Sequence, residues 1–245
     1  MISFDVPGID LSVHELTGGN LARLEALVEL FVELFPEHAH TAPRLRRKAE
    51  RPADANPLFI EHQWLVDVDQ EAAAMSAFKY VPGRNLGLQI YLAVRPDYRG
   101  LGRGECGRLS QLLIAAAQEQ LRVDALAAGR PTPTGLVFEV LAPQLAARFR
   151  EYGMVQLPVE YHEPRYSPGR ATLLDPDGVE QVAFQQAQLG IFPIDGEQVD
   201  VNDPLFLTDT ARALLNDHYG LPEEHWIVQR ALESIQAHCT PEGEN

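Results

Sequence analysis

The residues best suited to chemistry lie in one window, Tyr91-Leu-Ala-Val-Arg-Pro-Asp-Tyr-Arg-Gly-Leu-Gly-Arg-Gly-Glu-Cys-Gly. An apolar, strand-like run leads into glycines at 100, 102 and 104, and a helical pattern follows. Glycine admits positive φ and lets backbone approach a ligand closely. The start of a helix presents unpaired N–H groups and the positive end of its dipole, which together suit an anion such as a pyrophosphate. Arg99 and Arg103 would add positive charge there. A glycine-rich structural turn without a ligand is the plain alternative. A Walker loop is excluded, because it requires a Gly-Lys pair and the chain has none. Gly102-Arg-Gly-Glu-Cys-Gly107 does fit the dinucleotide fingerprint, but that motif belongs to a βαβ unit with an acid ending its second strand. Here Asp124 falls at a helix end instead, and antiparallel strands precede the loop.

The elements around the window follow from periodicity. Leu21, Leu24, Leu27, Val28, Phe31, Val32 and Phe35 predict a helix, with Asn20 as N-cap and Pro36 as its stop. A second helix is expected over residues 42–50, basic on one side through Arg44, Arg46, Arg47 and Lys48; it reads as a solvated face or a phosphate contact. Strands are expected over 58–66, 72–80 and 86–94, joined by links too short for parallel crossovers. After the loop come a helix over 102–124, a strand over 136–140 and a helix over 143–152, with Gly153 as a left-handed C-cap. Met154 to Tyr161 reads as an irregular strand because of Pro158, and residues 171–174 read as the last core strand. A polar connector and two helices, over 209–218 and 222–237, complete the pattern.

Within this order, Leu92, Val94, Pro96, Arg99, Gly100, Gly102 and Gly104 resemble the acetyl-CoA signature of the GNAT N-acetyltransferase superfamily, Arg/Gln-x-x-Gly-x-Gly/Ala. The order of helices, three antiparallel strands, loop, helix, strand, helix and strand is similar to the family's as well, over about residues 10–175. The resemblance implies an α/β GNAT fold: a mixed, mostly antiparallel sheet flanked by helices. Residues 1–175 would form the acetyltransferase domain and 176–245 an acidic, mainly helical C-terminal extension. It also implies acetyl-CoA as acyl donor, with no metal. The backbone at Leu92 and Val94 would pair with the pantetheine arm. The amides of Arg99, Gly100, Leu101, Gly102, Arg103 and Gly104 would hold the pyrophosphate. A primary amine, on a small molecule or a peptide, would attack the thioester directly in a ternary complex. That step needs a base for the ammonium, a donor for the oxyanion and an acid for the thiolate.

The acid and base are where the sequence departs from the family. Many members carry a Tyr on the helix before the Gly of Phe/Leu-Tyr-Glu-x-x-Gly-Phe. Here Arg148-Phe-Arg-Glu-Tyr-Gly-Met places Phe149 at that position, and a phenyl ring carries no proton to give. Tyr152, three residues on and on the same side of the helix, either replaces the hydroxyl or packs at the helix end. The Asn that often opens this helix is replaced by Leu141-Ala-Pro. Glu139, among Val137, Phe138 and Val140, reads as a base with a desolvated carboxylate or as an Arg-paired structural acid. Tyr80, Tyr91, Tyr161, His162 and the pair Glu61–His62 are further candidates. The missing Tyr and Asn keep open a second class, a GNAT-fold module that binds acyl-CoA without turnover. His38-x-His40, His218, His225 and His238 lack metal-ligand spacing, and Cys106 is expected on a buried helix face.

Composition sets the outer limits. The 245 residues are 45% hydrophobic and 22% charged, as in soluble domains. Against 35 acids stand 20 Lys and Arg, a net charge of −15 that disfavours a general nucleic-acid or anionic-membrane partner. Residues 171–245 hold 14 acids and two arginines, so the surplus belongs mainly to the C-terminal stretch and not to the loop. Two cysteines and no apolar run of membrane-spanning length lead to the expectation of a cytoplasmic protein. Homo-oligomerisation through the extension stays open.

Overall fold

Leu11 and Val13 alternate with Ser12 and His14, and this short stretch forms a strand, β1 (Leu11–Glu15), that the sequence reading does not contain. The coordinates are those of a computed structural model and describe residues 10–52, 56, 58–101, 108–165, 183–194 and 199–240. The chain divides into two units, Met1–Pro82 with Gln89–Pro131, and Gly83–Leu88 with Thr132–Asn245.

In the first unit, α1 (Leu24–Leu34) begins later than expected, with Arg23 and not Asn20 at its N-cap. Arg23 is ion-paired with Asp67 (2.7 Å), and Asn20 instead donates to the carbonyl of Glu15 (2.6 Å). Pro36 ends α1 by opening a 3-10 turn, Pro36–Thr41, that leads into α2 (Ala42–Glu50). The apolar faces of both helices, Leu24, Leu27, Leu30, Phe31, Leu45 and Ala49, close over Leu65 and Met75. On α2, Arg46 is ion-paired with Glu25 and Lys48 with Glu61, which supports the solvated-face reading.

The three expected strands are present as β2 (Ile60–Val68), β3 (Glu71–Val81) and β4 (Leu86–Val94). Asp69 and Gln70 both have positive φ (49° and 71°), the requirement of a two-residue hairpin turn between β2 and β3. The order in the sheet is β1-β2-β3-β4, with β1 and β3 antiparallel to β2. After β4 comes α3 (Leu109–Ala127). Its buried face includes Leu109, Leu113, Ala117, Leu121 and the carboxylate-bearing Asp124.

The second unit takes in the start of β4, which neighbours β5 (Gly135–Val140). α4 (Pro143–Glu151) follows, and Gly153, at φ 96°, ends it as the left-handed cap expected of it. The irregular strand resolves into two short pieces, β6 (Val155–Gln156) and β7 (Tyr161–Arg165), separated by Pro158. The expected strand over 171–174 lies outside the described residues. One expectation is corrected: the stretch read as a polar connector contains β8 (Ala183–Pro193), which pairs antiparallel with β5, β6 and β7. Residues beyond 175 therefore supply a sheet strand as well as helices. Three glutamines in the first half of β8 mask its strand character, whereas Leu189, Ile191 and Phe192 are buried. Gly190 has a packing reason to be glycine, since a Cβ there would lie 2.4 Å from the Met154 sulfur.

α5 (Pro204–Arg212), capped by Asp203, runs into a π-helical segment, Ala213–His218, and α6 (Trp226–Cys239) closes the described chain. Among the described residues no helix is long and apolar enough to cross a membrane.

Candidate functional site

The signature window is built on the end of β4. Leu92 and Val94 lie on that strand, Val94 buried and Leu92 half-buried. Pro96 then imposes a 3-10 turn, Pro96–Tyr98, closed by the Arg99 amide on the carbonyl of Pro96 (3.2 Å). The Arg99 side chain folds back, and its Nε donates to the carbonyl of Val94 (3.0 Å). That bond fixes the angle at which the chain leaves β4. Arg95 is held outward by Glu33, with Nη2 2.6 Å from a carboxylate oxygen, while its amide donates to the carbonyl of Ala73. Gly100 is exposed, with open space where a Cβ would stand. Leu101 is half-buried, and its amide closes on Tyr98 (3.1 Å). Gly102, Arg103, Gly104 and Cys106 lie outside the described residues. α3 begins just beyond them, with the Arg108 amide donating to the Gln111 side chain (2.8 Å) across its first turn.

Glu139 lies in the second unit and is half-buried on β5. The register of β8 explains its neighbours. Glu139 stands opposite Leu189, and Tyr161 on β7 stands opposite Ala187, two positions along β8 and therefore on the same face. The Tyr161 hydroxyl donates to Glu139 Oε1. A second hydroxyl arrives from the end of the π-helical segment: Tyr219 lies 3.0 Å from Oε1 and 2.9 Å from Oε2. Glu163, next along β7 on that face, completes a cluster of two carboxylates and two phenols. Burial, with the Glu139 charge adding to it, pushes the Glu163 carboxyl up to about 8. Burial also pushes the Tyr219 phenol well above its ordinary value, reinforced by Glu139. A base with a neighbouring acid is a chemically usable arrangement, because one site can take a proton while the other holds one.

Other candidates have structural settings. Phe149 is buried in an aromatic cluster, 5.2 Å from Phe138 and 5.7 Å from Phe192 between ring centres, which accounts for a phenyl ring at that position. Tyr152 stands at the C-terminal end of α4, its ring 6.4 Å from that of Phe149. Tyr80 is fully buried, and Tyr91 packs edge-on against Phe31 at 4.9 Å. The His162 ring lies 6.0 Å from that of Trp226. Glu61 is bound to Lys48 (2.6 Å) and Lys79 (3.5 Å), and these cations hold its carboxyl below its ordinary value despite burial.

His62 is unsuited to act as a base. Its Nδ1–H donates to Glu15 (2.7 Å) and its Nε2–H to Asp124 (2.9 Å), so both ring nitrogens are donors. Burial alone would lower its pKa, but the hydrogen bonds and charges of Asp124 and Glu15 carry it up to about 9. Phe78 stacks on the ring at 4.7 Å, and Trp64 also donates to Glu15 (2.8 Å). The imidazolium thus ties β1 and β2 to α3, the helix that follows the glycine loop. No group of three or more His, Cys, Asp or Glu suited to a metal occurs among the described residues.

Comparison with solved structures addresses the fold. A Bacteroides thetaiotaomicron protein assigned to the GNAT family of acetyltransferases superposes with a TM-score of 0.53 at 16% identity. The match covers 86% of this chain and 99% of that one. The fold is that of the GNAT acetyltransferases. A tandem GNAT protein from the clavulanic acid biosynthesis pathway is similar over 71% of this chain, at 19% identity and a TM-score of 0.47. This chain spans about half of it, 53% of its length. A GNAT-family protein from Desulfovibrio desulfuricans gives 14% identity and a TM-score of 0.48, with 75% and 99% of the two chains covered. No family model and no curated protein matches the sequence.

The fold is the one that the resemblance implies. What the sequence missed at Glu139 was its partners. Tyr161 was singled out, but as a separate candidate; Glu163 and Tyr219 carried no signal. They stand 24 and 80 residues from Glu139 along the chain, so only the pairing of β8 and the return of the C-terminal helices bring them together.

Proposed function

We propose that this chain transfers an acetyl or closely related acyl group from its CoA thioester to an amine, by direct attack. The observation that supports this best is the end of β4, where Arg99 locks the carbonyl of Val94 and sets up the turn into the acetyl-CoA signature, on a GNAT fold. In this reading the backbone at Leu92 and Val94 pairs with pantetheine. The amides from Arg99 and Gly100 through Leu101, Gly102 and Arg103 to Gly104 hold the pyrophosphate. The acceptor is a small-molecule or peptide amine. Glu139 takes a proton from its ammonium, and the neutral nitrogen forms a bond to the thioester carbon. As the tetrahedral species collapses, the C–S bond breaks, the thiolate takes a proton from the proposed donor Tyr152, and the second proton lost by the attacking nitrogen returns to the Tyr152 oxygen, leaving a neutral amide and the CoA thiol.

A second reading, acyl-CoA binding without turnover, is favoured by one observation: Phe149 sits in the aromatic core where the family commonly has a hydroxyl. Isothermal titration with acetyl-CoA, together with free-thiol release over an amine panel, separates the two. The enzyme both binds and releases CoA, with release dependent on amine and reduced about 10²-fold or more in Glu139→Gln. Binding without release supports the second reading, and absence of binding overturns both. Tyr152→Phe lowers kcat if Tyr152 is the donor and leaves it unchanged if it only packs.

A further inference from the structure

The acidic C-terminal stretch is the feature of the sequence that acyl transfer leaves without a role. In the structure two of its acids close on one arginine. Arg84 Nη1 donates to Asp209 (2.7 Å) on α5, and Nε donates to Asp217 (2.6 Å) on the π-helical segment. One guanidinium held by both carboxylates fixes the direction of this helical run against the turn that carries Arg84. The run ends two residues later in Tyr219, whose amide reaches back to Leu214 (2.9 Å) in the wide π pattern, and Gly220, at φ 73°, breaks it. Single π turns of this kind are frequent at functional sites. The Tyr219 hydroxyl lies nearly equidistant from the two Glu139 oxygens, at 3.0 and 2.9 Å, so its one proton is shared between them.

We propose that Tyr219 is a positioning residue for Glu139: the C-terminal helices, clamped by Arg84, deliver a phenol that orients the carboxylate and favours its ionised form. This rests on the reading of Glu139 as the group that takes the acceptor's proton. Among the described residues, Tyr161 and Glu163 face Glu139 from β7, and Tyr219, with the His218 ring 4.5 Å from it, faces it from the helical run. β8 contributes no titratable side chain along its whole length, from Ala183 to Pro193. The charged residues late in α4 (Arg148, Arg150 and Glu151) are exposed, and Arg150 is bonded to Gln156. The two phenols supply hydrogen bonds that oppose burial and the nearby Glu163.

The test is Tyr219→Phe, which removes one oxygen and keeps the ring. Two readouts are taken: the acid limb of the kcat/KM profile, and the carboxyl ¹³C titration of Glu139, assigned by its loss in Glu139→Gln. The expected result is that both move to higher pH by about one unit, since a lost hydrogen bond to a carboxylate favours protonation. Arg84→Gln should move both in the same direction by less, because the phenol is loosened but still present. A lower Tm with both titrations unmoved would show Tyr219 to be a packing residue and overturn the proposal. The carboxyl titration needs no turnover, so it decides the role of Tyr219 even if no amine is acetylated. Conversely, active enzyme with an unmoved profile overturns the proposal and leaves acyl transfer standing.

Discussion

Replacing His62 by Gln should remove a specific, pH-dependent part of the stability of the first unit. The imidazolium has two carboxylate partners, at 2.7 and 2.9 Å, and its side chain is 10% exposed. Its pKa rises from 6.5 to about 9 on folding. A pKa raised in the folded state stabilises fully below the unfolded value, and that stabilisation is lost as pH climbs through the folded value. The window is therefore pH 6.5 to 9. At ~1.4 kcal/mol per unit the linkage is worth about 3 kcal/mol, a large fraction of a typical folding free energy of roughly 5–15 kcal/mol. The assay is urea unfolding from pH 6 to 10, followed by Trp64 fluorescence in a Trp226→Phe background. Trp64 packs 4.6 Å from Phe78 and donates to Glu15, so it reports on this network, and Trp226 belongs to the other unit. Wild type should be more stable than His62→Gln by about 3 kcal/mol at pH 6, and the gap should close by pH 10. A gap that stays constant over this range would refute the reasoning, because the pair would then contribute packing and not linked charge.

Two further outcomes are expected. Gly190→Ala places a methyl 2.4 Å from the Met154 sulfur and should lower the stability of the second unit by about 1–3 kcal/mol, measured as a fall in Tm relative to Gly83→Ala, where no atom lies in the way. Glu163→Gln should abolish the carboxyl titration near pH 8. It should also gain stability relative to wild type as pH rises from 4.5 to about 8, because a carboxyl whose folded pKa is raised costs stability once it ionises; pH-dependent ¹³C NMR and denaturation check both.

Local sequence alone determined much of the first unit. Residues 42–50 are helical because Ala42, Leu45 and Ala49 fall on one face, and β2 to β4 follow from apolar runs between tight turns such as Asp69-Gln70. Gly153 was legible as a cap because a positive φ there follows from the end of a helix. The end of β4 and the turn opened by Pro96 were legible for a similar reason, since a strand end and a Pro-imposed turn are both local. β1 was not, since five alternating residues acquire strand character only by pairing with β2. Nor was β8, whose glutamines become strand residues by pairing, Gln185 and Gln186 with β7 and Gln188 with β5. The charged groups show the same division. The sequence marked Glu139 as an acid in an apolar strand and gave Asp124 only a helix end. Tertiary structure assigned Glu139 its phenols from β7 and from Tyr219, and enclosed His62 between Glu15 and Asp124, 47 and 62 residues away. Helix and strand patterns are set by near neighbours along the chain. The protonation of a buried group is set by whatever the fold brings within about 3 Å of it, and no spacing in the sequence encodes that.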